Sequence, residues 1–337
     1  MKLKPDKMTS DERMDALIQG KPIDRVPVML FAPLPFFLKN MGSSVVELYR
    51  NPQEAPDVAF RTQVLGNEIY QLDGHPSFFQ GEFPTWAFGG EFRYPVAESQ
   101  QELLTTKYPV QSEEDAWNLK LPDVEKSGNY PWVVKFSKIQ QQHGLDVAVF
   151  EGEPLTQAAL ICSMERFLRW LKKKPEICHH LMRLVIQHAV NVVQHRVNTF
   201  GKDKVFFHTG SALGSDEHTT VEEYEQFGVP YFKEMMEKVL ALGIKPCASA
   251  HICGPFNDKL HFYREIPFGK VGIFSITERT DLRRAVEILG DKHIIMGNLS
   301  ARLLLHGSFE EVYEETRKCI EIGRTAPRGF IMASGCQ

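Results

Sequence analysis

The chain has 337 residues, of which 43% are hydrophobic, and a formal net charge of −4. It can therefore build the core of one large domain or two ordinary ones, but it lacks the bulk positive charge that nucleic acids and anionic membranes attract. Six cysteines do not indicate a disulfide framework in such a chain, and no apolar run is long enough for a signal core or a membrane span, so we expect a cytoplasmic protein.

Eight short apolar segments are predicted to form strands. They are, in chain order, residues 25–31, 67–73, 146–152, 204–210, 245–253, 270–277, 292–300 and 329–336. Most of them are continuous apolar runs rather than strict alternations of apolar and polar residues. Such runs are typical of parallel strands that are buried on both faces.

Amphipathic segments between these strands predict helices. They cover residues 156–173, 175–201, 221–243, 280–290 and 308–323. Near the N-terminus, Thr9 or Ser10 precedes acidic residues and is expected to cap a further helix. Strands that alternate with helices predict an α/β protein, a (β/α)8 TIM barrel. A doubly wound sheet is the alternative, because the sequence does not reveal the order of the strands.

The expected barrel is a single domain that covers residues 1–337 and ends directly after its eighth strand. Such an ending would leave apolar surface exposed, so we expect either that the sequence was cut short or that a partner covers this surface. Residues 74–130 are rich in aromatic residues, glycine and proline and do not fit one βα unit. We therefore predict an insertion there, a small hairpin near the barrel mouth.

A histidine and a cysteine, His251 and Cys253, lie two residues apart at the end of the predicted fifth strand, and Cys336 lies at the end of the eighth. Side chains two apart in a strand point to the same face, and the carboxyl ends of all barrel strands gather at one end. Two thiolates and an imidazole are good zinc ligands, and their formally neutral zinc site favours activation of a thiol over activation of water. The alternative is that these cysteines are packing residues, as we expect for Cys247.

Other candidates are single residues. His208 ends the predicted fourth strand and could bind substrate or orient a ligand. Asp216 follows in the next loop as a candidate for substrate binding, with a solvated loop side chain as the alternative. His188 and His195 lie seven residues apart on a long predicted helix and are expected to have structural or solvated roles.

Several stretches resemble the uroporphyrinogen decarboxylase superfamily, and within it the corrinoid-dependent methyltransferases. They are DERMDALIQGKPIDRVPV, EGEPLTQAAL, AHICG, TDLRRAVEILGDKHIIMGNLSARLLLHGSFEEV and FIMASGC. The resemblance runs through nearly the whole chain and implies a (β/α)8 barrel. It also implies that His251, Cys253 and Cys336 hold zinc. Glu278 is the candidate for the fourth zinc position before substrate binds, although Thr277 could be the aligned residue.

The resemblance implies transfer of a methyl group between a corrinoid (cobalamin) carried by a separate protein and a zinc-activated thiol such as coenzyme M. Aromatic residues around 78–92 could then form a wall against the corrin, or the core of the hairpin. One alternative is demethylation of a small donor such as an aryl methyl ether, which EIPFGKV (265–271) favours. Another is porphyrinogen decarboxylation, but residues 30–40 have no arginine to bind carboxylates. A non-catalytic corrinoid-pathway protein and a homo-oligomer also remain open.

Overall fold

The computed structural model describes residues 6–78, 84–96 and 103–336. The strands are β1 (Val28–Met29), β2 (Glu91–Arg93), β3 (Leu104–Lys107), β4 (Val147–Phe150), β5 (Val205–Ser211), β6 (Cys247–Ile252), β7 (Val271–Ile276), β8 (Ile294–Leu299) and β9 (Phe330–Ser334). The helices are α1 (Ser10–Ile18), α2 (Leu34–Asn40), α3 (Val45–Arg50), α4 (Ala55–Tyr70), α5 (Pro84–Ala87), α6 (Glu113–Asn118), α7 (Tyr130–Gln142), α8 (Pro154–Cys162), α9 (Met164–Lys173), α10 (Pro175–Phe200), α11 (Val221–Glu223), α12 (Val229–Leu240), α13 (Leu282–Leu289), α14 (Ala301–His306) and α15 (Phe309–Gly323).

The main sheet contains seven strands in the order β1-β9-β8-β7-β6-β5-β4, and each neighbouring pair is parallel. From β4 to β9, strands that follow each other in the chain are therefore neighbours in space, and β9 returns to lie beside β1. A doubly wound sheet reverses its strand order in the middle. The structure thus confirms the TIM-barrel class and excludes the doubly wound alternative.

The sheet curls around an interior apolar cluster. Its buried members are Leu17, Cys247, Val271, Ile273, Ile294, Met296, Ile331 and Ala333, and Met29 and Phe206 pack against it. Leu17 comes from α1, so this helix closes the amino end of the curled sheet. Cys247 lies in this cluster, which agrees with its predicted packing role. A second and larger apolar cluster fills the space between the outer face of the sheet and the helices.

The predicted second strand, residues 67–73, is wrong. Residues 67–70 form the last turn of α4, and Gln71 ends the helix with a left-handed backbone (φ +52°). The buried residues of α4 recur three or four positions apart, which is the period of a helix. After this turn, the N–H of Asp73 donates to the carbonyl of Val28 at 2.7 Å. A short segment with one backbone bond to β1 therefore takes the place of a second strand.

The predicted insertion is confirmed within the described residues. Strands β2 and β3 form an antiparallel hairpin between α5 and α6, and residues 79–83 and 97–102 of the predicted region lie outside the described residues. The Trp86 ring stands edge-on to Trp132 of α7 at 5.5 Å. It also contacts Phe92 at 5.8 Å. These rings pack on each other, which favours the hairpin core over a wall against a ligand.

The predicted helices are confirmed with small changes of boundary. Thr9 caps α1, since its hydroxyl accepts the N–H of Glu12 while the Glu12 carboxylate accepts the N–H of Thr9. The predicted helix over 156–173 divides into α8 and α9 at Ser163, whose φ of +76° does not fit a helix. No helix in the described ranges is both long and apolar enough to cross a membrane.

Ion pairs join α1 to β1 at the amino end of the sheet. The Arg13 side chain is buried and donates to Asp24 at 2.7 Å and to Asp73 at 2.5 Å. Asp73 also accepts from Arg25 at 2.6 Å and from the N–H of Val28 at 2.8 Å. The Arg13 guanidinium holds the pKa of Asp24 well below its usual range. This network, which we call the amino-end ion network, holds β1 in place.

Candidate metal centre

One imidazole and two thiols converge at the carboxyl ends of β6 and β9. A ring nitrogen of His251 and the sulfurs of Cys253 and Cys336 all lie within 4.8 Å of one another. His251 is buried, and the two cysteines are half-buried. The structure thus brings together the three residues that the sequence predicted, at a spacing that could hold a metal ion.

His251 is held in one orientation by its neighbours. It pairs in register with Ser275 on β7, and its Nδ1 lies 3.0 Å from the Ser275 hydroxyl. The Phe31 ring stacks on the imidazole with a centroid distance of 4.0 Å. The second ring nitrogen, Nε2, is buried and has no hydrogen-bond partner among the described residues. Buried polar atoms rarely stay unsatisfied, so this nitrogen indicates a site for a further group such as a metal ion.

The two sulfurs lie against each other. The hydrogen bond with Cys336, burial and the charge of Glu278 raise the pKa of the Cys253 thiol. Two adjacent thiolates repel each other, so both sulfurs can be anionic only with a cation between them. One imidazole and two sulfurs match three ligands of a catalytic zinc site that keeps its fourth position open. The residues present therefore fit zinc.

Glu278 lies beside the three residues but outside their group. A Cβ on Gly335 would come within 2.8 Å of the Glu278 carboxylate, so this carboxylate packs next to the chain that leads into Cys336. The side chain of Glu278 is exposed. Thr277, the alternative, is buried and donates its hydroxyl to the carbonyl of Gly254 at 2.9 Å. Its hydroxyl thus supports the turn after Cys253.

His208 occupies the position next to Ser249 on the inward face of the sheet. Its Nδ1 lies 2.5 Å from the Ser249 hydroxyl, and its ring lies 5.2 Å from that of Phe150. Burial and the nearby charge of His251 lower the pKa of His208 to about 3. The ring is therefore neutral at physiological pH, and it can offer one nitrogen to a ligand.

Asp216 connects two loops at the same end of the sheet. Its N–H donates to the carbonyl of Pro255 at 2.8 Å, and its carboxylate accepts the N–H of Asp258 at 3.3 Å. The carboxylate also lies 3.6 Å from the buried ammonium of Lys259. These contacts give Asp216 a part in holding the loop after β6, which begins at Cys253.

A buried carboxylate near the site was not predicted. Glu153 is fully buried and accepts hydrogen bonds from Ser211 at 2.6 Å, Thr156 at 3.0 Å and Tyr224 at 3.1 Å. Burial raises the pKa of Glu153 to about 7. The carbonyl of Ser211 accepts the N–H of Cys253 at 2.8 Å, so this cluster connects to a candidate ligand.

Phe31 and Ser275 were also missed as site residues. The position of each residue in a predicted strand could have identified it. Ser275 lies two residues before Thr277 on the same face of the sixth predicted strand, and Phe31 is the last residue of the first. By contrast, His188 and His195 have the predicted structural and surface roles, since His188 lies 2.5 Å from the Tyr130 hydroxyl and His195 lies 3.0 Å from Glu125.

Comparisons with known proteins cover almost the whole chain. The family profile for "Uroporphyrinogen decarboxylase (URO-D)" matches residues 9–337. The methylcobamide:CoM methyltransferase MtaA of Methanosarcina barkeri (strain Fusaro / DSM 804) is 24% identical, with 97% of this chain and 92% of that protein covered. A second Methanosarcina barkeri MtaA is 23% identical over the same shares. A solved methyltransferase structure from Methanosarcina mazei matches with a TM-score of 0.78 at 19% identity and covers 98% of this chain and 93% of that one. This last likeness shows the fold.

Proposed function

Because the chain belongs to the uroporphyrinogen decarboxylase family, we propose that it is one of the zinc-dependent methyltransferases within this fold. It would transfer a methyl group between a corrinoid, carried by a separate protein, and a thiol. The observation that carries the proposal is the convergence of His251, Cys253 and Cys336 within 4.8 Å. The names of the two MtaA relatives, methylcobamide:CoM methyltransferases, support the corrinoid and the thiol.

Three residues of the chain would bind the metal, and two others would orient one of these ligands. His251 Nε2 and the sulfurs of Cys253 and Cys336 would hold zinc, which when bound lowers the pKa of a coordinated thiol and so supplies a thiolate at neutral pH. Ser275 and Phe31 keep the imidazole in one orientation. An orienting partner on the second ring nitrogen is the usual support of a metal-bound histidine.

Three further residues have proposed roles. His208 would contact the substrate through its neutral ring, since it lies on the inward face beside Ser249. Glu278 is our candidate for the fourth metal ligand before substrate binds. Asp216 would act on the substrate only indirectly, through the loop that it joins to the segment after Cys253.

A second candidate is demethylation of a small donor such as an aryl methyl ether. The rings of Phe31 and Phe150 next to His251 and His208 favour it, because aromatic rings suit an aromatic or apolar donor. Porphyrinogen decarboxylation is disfavoured. Residues 30–40 comprise α2 and the end of the segment before it, and this stretch has no arginine that could bind the carboxylates of a porphyrinogen.

The test is anaerobic demethylation of methylcobalamin with a panel of thiols, with Co(I) cobalamin and methyl ethers in the reverse assay. We expect thiol methylation that is lost in Cys253→Ser and retained in Cys247→Ser, whose sulfur lies in the interior apolar cluster. Activity in the ether assay alone would favour the second candidate. Wild-type rates in Cys253→Ser would overturn the proposal.

A further inference from the structure

The inward face of the sheet has two layers. Phe206, Cys247 and Ile273 belong to the apolar interior or pack against it. Side chains two and four residues further along each strand point to the same face, closer to the carboxyl end. On β4 to β7 these inward positions are Phe150, His208, Gly210, Ser249, His251 and Ser275, and Phe31 stacks on His251 from the segment after β1. We call these seven residues the upper layer.

The walls of the upper layer are aromatic. Phe31 stacks on His251 at 4.0 Å, and Phe150 lies 5.2 Å from His208. Gly210 lies between these two pairs. A Cβ added to Gly210 would sit 3.5 Å from the Phe150 ring and 3.4 Å from the His251 carbonyl, which is ordinary contact. A methyl-sized group therefore fits at this position, in contact with Phe150 and next to the candidate ligand His251.

No member of the upper layer is a lysine, arginine, aspartate or glutamate. The charged side chains that act on Cys253 besides Cys336 are those of Glu278 and Arg279, which are exposed at the rim of the site. Glu278 is an anion that raises the pKa of Cys253, and Arg279, the nearby cation, is paired with Glu217 through both guanidinium NH₂ groups. The site thus offers an anionic ligand no unpaired cation within the layer. Zinc with two thiolates is already formally neutral, so a bound thiolate makes the site anionic, and a second negative charge on the same small molecule would be repelled.

We propose that the molecule bound at this centre is a small uncharged thiol rather than an anionic one. Its hydrocarbon part packs between Phe31 and Phe150, and a hydroxyl on it bonds to Nε2 of His208. His208 is suited to this contact because its Nδ1 is engaged with Ser249 while the described residues give Nε2 no partner. The inference rests on the proposed function, since it assumes that a thiol binds at the metal.

The experiment is calorimetric titration of the zinc-loaded protein with 2-mercaptoethanol, ethanethiol and 2-mercaptoethanesulfonate, compared at equal thiolate concentration. We expect 2-mercaptoethanol to bind at least about tenfold more tightly than the sulfonate, because like charges repel in a site of low dielectric constant. We expect ethanethiol to bind about fivefold more weakly than 2-mercaptoethanol, which is the effect of one hydrogen bond. Sulfonate binding as tight as that of 2-mercaptoethanol would overturn the inference and leave the proposed function standing.

Two variants sharpen this result. Phe150→Lys places a cation in the upper layer and should tighten sulfonate binding at least about tenfold, while Phe150→Met, the matched uncharged control, should not. His208→Leu should remove the preference for 2-mercaptoethanol over ethanethiol, and an unchanged preference would overturn the role of His208. If none of the three thiols binds the zinc-loaded protein, the proposed function fails together with the inference.

Discussion

The two ends of the curled sheet both gather polar side chains from distant parts of the chain, but they differ in how those groups are satisfied. In the amino-end ion network, Arg13, Asp24, Asp73 and Arg25 neutralise one another through short hydrogen bonds. At the carboxyl end, His251 has a buried ring nitrogen without a partner in the described residues. Each cluster combines buried and half-buried residues, with Arg13 and Asp73 buried at one end and His251 at the other, so burial does not separate them. The unsatisfied atom marks the end where a ligand is needed.

The comparison predicts that damage to the two ends has different consequences. Changes in the amino-end ion network should lower the free energy of unfolding and leave metal binding by the folded protein intact. Changes at the carboxyl end should lower metal affinity with little effect on stability. Each prediction below tests one side of this contrast, beginning with the largest expected effect.

Arg13→Met should destabilise the protein by about 3 kcal/mol, because it removes the cation that is buried against Asp73 and leaves that carboxylate with Arg25 alone. Urea denaturation measures this change. The matched control is Arg50→Met, which removes an exposed arginine that pairs with Glu47 and should change stability by less than about 1 kcal/mol. Equal effects in the two variants would show that the amino-end ion network is not structural.

Glu153 should make the carboxyl end respond to pH. Its pKa is raised from 4.5 to about 7 by burial, so the folded state binds its proton more tightly than the unfolded state. This contribution to stability is complete below pH 4.5 and is lost as pH rises through 7. Relative to Glu153→Gln, the wild type should therefore lose about 3 kcal/mol of unfolding free energy between these pH values. Urea denaturation at a series of pH values measures this difference. The same pH dependence of the unfolding free energy in both proteins would contradict this expectation.

The amino end should respond in the opposite direction. The pKa of Asp24 is lowered by Arg13, so its contribution is present above its unfolded pKa and is lost only as pH falls through the lower folded value. Acid therefore weakens the amino-end ion network, and the loss of stability that depends on Glu153 occurs at higher pH.

Ser275→Ala should weaken metal binding about 10- to 100-fold, because the hydroxyl that orients the His251 ring is lost. Competition with a zinc chelator measures the affinity. Ser249→Ala is a suitable control, since Ser249 lies two residues away on the same strand as His251 but bonds to His208. A chelator titration that gives the same affinity for wild type and Ser275→Ala would show that this hydrogen bond does not support the site.

Most of the sheet could be predicted because buried parallel strands appear as apolar runs. The first predicted strand and the last six coincide with strands of the structure. The second failed because residues 67–70 form the last turn of α4, where Ile69 and Tyr70 are exposed although they are apolar. The strand order, which excluded a doubly wound sheet, depends on pairing between distant segments and is not visible in a single sequence.

The site was predictable where strand geometry determines it. The spacing of His251 and Cys253 places both on one face, and the position of Cys336 at the last strand end places it nearby. Phe31, Ser275 and Glu153 were missed because their roles depend on contacts across neighbouring strands. The sequence around Glu153 does not reveal that its carboxylate accepts hydrogen bonds from three hydroxyl groups in separate elements.

The central claim is that His251, Cys253 and Cys336 jointly bind one zinc ion, and metal analysis of protein purified under reducing conditions tests it most directly. We predict about one zinc per chain in the wild type and in Cys247→Ser, and almost none in Cys253→Ser and Cys336→Ser, with circular dichroism showing that all four remain folded. A full complement of zinc in both Cys253→Ser and Cys336→Ser would contradict the account.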